Sequence, residues 1–97
     1  MLNSKQRANL RSFASNLDAS IIIGKDGLTD NVLEQIDNAL TAKEIVKISV
    51  LDNSGECARN YLEVCSEKLN AEQVCSIGKK FVLYRFSNKK GVKHITF

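Results

Sequence analysis

Ninety-seven residues with 43% apolar and 26% charged side chains describe one ordinary globular domain, too short for two separate cores. No apolar run reaches the roughly 18 residues of a membrane helix, and the N-terminus lacks the apolar region of a signal peptide, so a cytoplasmic location and no membrane partner are expected. A formal charge of +3 is too small to establish a nucleic-acid partner, so the placement of the charges matters more than their sum.

The first periodic segment is "SKQRANLRSFASNL", in which Leu10, Phe13, Ala14 and Leu17 share one helical face and Ser4 is the expected N-cap. Arg7 and Arg11 lie one turn apart beside that stripe. Like charges at this spacing cost a helix roughly 0.2–0.5 kcal/mol, which points either to an anionic partner or to a plain solvated face. Ile21, Ile22 and Ile23 then read as a short buried strand.

A turn, Gly24-Lys25-Asp26-Gly27, leads into a helix capped by Thr29, with Asp30 favourably placed at the positive end of its dipole. Leu28 and Leu33 have the spacing of a hydrophobic staple, and Val32, Leu33, Ile36, Ala39 and Leu40 make the buried stripe. The opposite face carries Asp30, Glu34 and Asp37, so an anion near this helix must meet its N-terminus.

"EIVKISVL" is a second strand. A capping box from Asn53 to Glu56 then opens a helix with Ala58, Tyr61, Leu62, Cys65 and Leu69 on one stripe. "QVCSI" reads as a third strand, and Gly78-Lys79 as a two-residue hairpin turn into "KFVLYRF". That last run is apolar on both faces, which places it inside the sheet. Residues 87–97 are basic and poorly patterned, a tail or weak extra strand. The expected fold is therefore α+β of the open-sandwich kind, α-β-α-β-α-β-β with a four-stranded mixed sheet, in one domain spanning 1–97 with its core at 3–86.

Two features could carry function. Glycines at both ends of the Gly24–Gly27 turn let the backbone approach a phosphate, the helix N-terminus offers amide donors, and Lys25 adds a mobile charge. A plain strand-to-helix corner, with glycine at positive φ, explains the same four residues. Lys79, Lys80 and Arg85 form a second basic group, suited either to phosphate or to protecting a sheet edge. Tyr84, in an inner strand, reads as core.

Catalysis finds little support. Cys57, Cys65 and Cys75 are odd in number and lack a CxxC pair, and His94 lies in the tail, so reduced thiols and no metal site are expected. There is no Walker motif and no triad, hence no catalytic residue, cofactor or small-molecule substrate is expected.

Three ordered blocks, "GKDGLTDNVLEQIDNAL", "KEIVKISV" and "VCSIGKKFVLYR", resemble the CRM (chloroplast splicing and ribosome maturation) domain in its stand-alone bacterial YhbY-type form. The resemblance covers residues 3 to 86. It implies a fold similar to the C-terminal domain of translation initiation factor three, with strand order 1-2-4-3. It also implies an RNA-binding protein that associates with ribosomal RNA in large-subunit precursors, and a non-catalytic monomer is expected. By the same resemblance Gly24, Lys25, Asp26 and Gly27 belong to the RNA surface, extended by Arg7, Arg11, Lys79, Lys80 and Arg85. The competing expectation is a protein-interaction module that docks on a ribosomal protein or assembly factor through the acidic second helix or a sheet edge.

Overall fold

The computed structural model describes residues 3–87 and Gly91. Helix α1 (Ser4–Ala14) is followed by β1 (Ile21–Ile23), α2 (Asp30–Lys43), β2 (Ile45–Val50), a 3-10 turn (Asp52–Ser54), α3 (Ala58–Lys68), β3 (Glu72–Ile77) and β4 (Lys80–Tyr84). This is the expected order of elements. The sheet order is β1-β2-β4-β3, with β1 parallel to β2 and β4 antiparallel to both its neighbours. The α+β open sandwich and the 1-2-4-3 order are therefore what the chain adopts. The expected tail lies outside the described residues except for Ser87 and Gly91.

Period-two alternation divides the side chains between two sheet faces. On one face Ile21, Ile23, Val46, Ile48, Val50, Phe81 and Leu83 meet Ile36 and Leu40 of α2 and Tyr61, Leu62 and Cys65 of α3. On the other, Ile45, Val74, Val82 and Tyr84 meet Leu10 and Ala14 of α1. Strand β4 thus feeds both cores, as its two-sided apolar run requires. Full burial of each such side chain contributes roughly 1.5–3 kcal/mol.

Local signals set the helix ends. Thr29 caps α2 by accepting from the Val32 amide at 3.2 Å, as its position predicts. The cap of α1 is Asn3 rather than Ser4: Asn3 and Gln6 form a reciprocal capping box, and Ser4 is the first helical residue. The box expected from Asn53 to Glu56 does not form, because Asp52–Ser54 winds into the 3-10 turn and Cys57 becomes the N-cap. Glu56 instead accepts from the Cys57 amide and the Asn60 side chain. Phe13, assigned to the buried stripe of α1, is 45% exposed, whereas Leu10 and Ala14 are buried and Leu17 packs partly buried against the same core. Ile22, in the run read as buried, is 59% exposed; its neighbours face the core and it does not.

Glu44 is the polar residue most deeply committed to the fold. It is fully buried, ends α2 at φ 68°, and accepts the Ser87 amide on Oε2 at 2.8 Å. Its carbonyl accepts the Arg85 amide at 2.9 Å. One residue thereby closes a helix and fixes the chain leaving β4.

The three cysteines are free thiols, with Cys57 exposed, Cys65 buried and Cys75 half-buried. Burial pushes the Cys65 thiol up to about 11. Burial also raises the Cys75 thiol, while the Arg11 and Lys47 cations pull it partway back. Iodoacetamide at pH 8 should therefore label Cys57 first and Cys65 only on unfolding, as mass spectrometry would show. An unfolded thiol ionises from its ordinary 9.0 while folded Cys65 keeps its proton, so stability should decline as pH rises from 9 towards 11.

Candidate nucleic-acid interface

The Gly24–Gly27 turn sits at the end of β1, and its two glycines are there for different reasons. Gly27 has φ +70°, and its amide donates to the Gly24 carbonyl at 2.9 Å. A Cβ at Gly27 would lie 3.3 Å from the Tyr61 hydroxyl, which itself donates to the Ser54 carbonyl at 3.0 Å. The corner needs that glycine. Gly24 has no positive φ, and a Cβ there would meet only Leu51 Cδ1 at an ordinary 3.8 Å. Nothing in the packing demands glycine at position 24. Lys25 and Asp26 stand exposed between the two, and α2 begins at Asp30, three residues after Gly27.

The register of the sheet continues from this turn. Ile22 pairs with Ser49, Ser49 with Lys80, and Lys80 with Ile77. These four residues form a row across all four strands, on the face that carries α1 but beyond its reach. Lys80 projects from the middle of the row and is exposed.

Arg7 and Arg11 occupy the flank of α1 nearest β3. The Arg7 Nε donates to the Gln73 carbonyl at 3.1 Å, and Arg11 is close enough to Cys75 to act on its thiol. Two residues beyond Cys75 on the same strand face is Ile77, about 7 Å along the chain. The cations therefore follow a bent path: Arg7 and Arg11 along β3, Lys80 across the sheet, and Lys25 at the far edge. Lys47 is not on it; its ammonium caps the α1 C-terminus through the Ala14 and Leu17 carbonyls, at 3.4 and 3.1 Å.

Lys79 and Arg85, expected at the surface like Arg7, also have engagements within the fold. Lys79 forms an ion pair with Asp52 of the 3-10 turn, both side chains being exposed. Arg85 is turned inward on the opposite side of the sheet. Its Nη1 donates to the Leu69 carbonyl at 2.9 Å, and its Nη2 to the Asp37 carbonyl at 3.1 Å and Thr41 Oγ1 at 3.0 Å. The Asp37 carboxylate completes the set at 2.8 Å. Sequence reasoning grouped Arg85 with Lys79 and Lys80 because they share a hairpin, but strand alternation sends Arg85 to the α2–α3 side. The row through Ile22 and Ile77 was missed, although residues of one strand parity could have marked it once the strand order was known.

Residues 2–85 match the CRS1/YhbY (CRM) domain. The chain belongs to the CRM-domain family. Among relatives, the Probable RNA-binding protein YqeI of Bacillus subtilis is 38% identical over 92% of this chain and 93% of its own length. An RNA-binding protein of Haemophilus influenzae is 33% identical over 95% of this chain and 93% of its own. The solution structure of SAV1595 from Staphylococcus aureus, a candidate RNA-binding protein, superposes with a TM-score of 0.75 at 36% identity, covering 93% of this chain and 94% of that one. Among the described residues of this CRM-domain protein, no helix is long and apolar enough to cross a membrane.

Proposed function

We propose that this CRM-domain protein binds RNA without catalysis, acting on ribosomal RNA in precursors of the large subunit during ribosome assembly. The relatives' names support the RNA partner, and the family resemblance supports the ribosomal setting. The observation that carries the local reading is Gly24. A glycine that neither φ nor packing demands leaves the backbone bare beside Lys25 and a helix N-terminus, where a phosphate could be held by amides and a mobile cation. Lys80, Arg11 and Arg7 extend the contact along the sheet. Lys79 contributes at the rim, weakened by Asp52, and Arg85 stays in the fold.

Crosslinking in cells followed by sequencing of the bound RNA tests both levels. Large-subunit ribosomal RNA should dominate the recovered fragments. In binding measurements with such a fragment, Lys25→Ala should lose about tenfold, because a charge-assisted contact of roughly 1.5–3 kcal/mol is diluted by water. Asp26→Asn should bind more tightly, since it removes the one carboxylate of the turn and keeps its turn propensity. Unchanged affinity in both variants, with normal melting, would reduce the turn to a corner.

A further inference from the structure

Exposed apolar side chains gather at one end of the sheet. Ile22 is 59% and Ile77 66% exposed, and they flank Ser49 and Lys80 in a row running from one edge strand to the other. Leu51, also exposed, follows β2 at the same end and touches the position of Gly24. Isolated exposed isoleucines need no explanation, but a row of them with a cation at its centre does. Four strands at about 4.8 Å spacing make the row about 14 Å wide. A four-stranded sheet of that width holds two or three bases in other RNA-binding modules.

We infer that this row is a platform for the unpaired bases of a single-stranded RNA segment. The inference rests on the RNA-binding reading and adds to it the kind of RNA. Charge placement selects the occupant. The row is bordered by Arg11 on the β3 side and by Lys25 on the β1 side, and Lys80 rises between the isoleucines. Cations on both borders with apolar surface between them match a strand whose phosphates lie outward and whose base faces turn inward. Duplex RNA hides its base faces and would meet only the cations. A protein partner would gain little from three cations around so small an apolar area. Ser49 and Lys80 supply hydrogen-bonding groups to base edges, which an aliphatic surface alone lacks.

Fluorescence anisotropy with the full chain tests this, using a labelled 12-nucleotide single-stranded RNA of mixed sequence and a blunt 12-base-pair duplex. The parent should prefer the single strand by about tenfold. The double variant Ile22→Thr/Ile77→Thr keeps β-branched residues and should melt as the parent does. It should lose about tenfold for the single strand and nothing for the duplex, base contacts on aliphatic groups being weaker than on aromatic ones. Its dependence on salt should be unaltered, because no cation is removed. Ile77→Tyr should tighten single-strand binding roughly threefold by offering a ring to stack upon. Equal binding of both RNAs, unaffected by the double variant, would overturn the platform while leaving RNA binding in place. Absence of binding to either RNA would overturn the functional reading and the platform with it. Unchanged RNA affinity with a shifted sedimentation coefficient would assign the row to a second copy of the chain. Unchanged affinity with lowered melting would assign the row to the packing of the fold. Each of these last two results also refutes the platform.

Discussion

Arg85→Ala should lower the melting temperature by roughly 10–20 °C and leave RNA affinity of the folded protein unchanged. The guanidinium joins three elements: α2 through Asp37 and Thr41, the end of α3 through Leu69, and the strand β4 that precedes it. The Leu69 carbonyl belongs to the C-terminal turn of a helix, where carbonyls have no partner within the helix. Removing the donor strands that acceptor and the shared Asp37–Thr41 site together. Hydrogen bonds to a charged group contribute roughly 1.5–3 kcal/mol, and the Asp37 ion pair adds little because its carboxylate is half-exposed. A loss of about 2–3 kcal/mol is large against the roughly 5–15 kcal/mol that holds a domain together. Arg85→Lys should recover only part of it, since one ammonium cannot reach three acceptors in a plane. Normal melting with a tenfold loss of RNA affinity would instead put this side chain on the RNA.

Replacing Arg11, Lys25 and Lys80 together by alanine should weaken RNA binding up to about a thousandfold, with melting preserved. All three are exposed, so each contact is worth about 1.5 kcal/mol in the presence of water, the low end for a hydrogen bond to a charged group and about tenfold in affinity. They stand on different elements and share no partner, so their effects should add. The matched control removes Lys43, Arg59 and Lys68, which lie on α2 and α3 on the other side of the sheet. It changes net charge equally and should cost severalfold at most. Equal losses from the two triple variants would mean that overall charge, and not the bent path of cations, attracts RNA.

Much of the fold was legible because local and non-local signals agreed. The β-branched runs, the Thr29 cap and the Gly78 turn each sufficed to place an element, and Gly78 does adopt positive φ at 57°. The two-sided run in β4 even placed its strand inside the sheet. What escaped was whatever depends on a partner distant in sequence. Arg85 looks like a surface cation until Asp37, Thr41 and Leu69 are brought to it. Phe13 and Ile22 look like core until the opposing surface turns out to be too small to cover them. Asn53 and Glu56 have capping-box spacing, yet the 3-10 turn takes the chain elsewhere. Within the candidate site, sequence pattern found the glycine turn but could not divide its two glycines. The positive φ of Gly27 and the unforced backbone of Gly24 are properties of the folded loop.

The most direct test of RNA binding by this surface is the salt dependence of affinity for a single-stranded RNA. Arg7, Arg11, Lys25 and Lys80, with Lys79 at the rim, offer four to five phosphate contacts, so log affinity against log salt should fall with a slope of about −3 to −3.5. The triple variant lacking Arg11, Lys25 and Lys80 should flatten that slope by about 2. A parent slope near zero, or one that the triple variant leaves unchanged, would contradict the account.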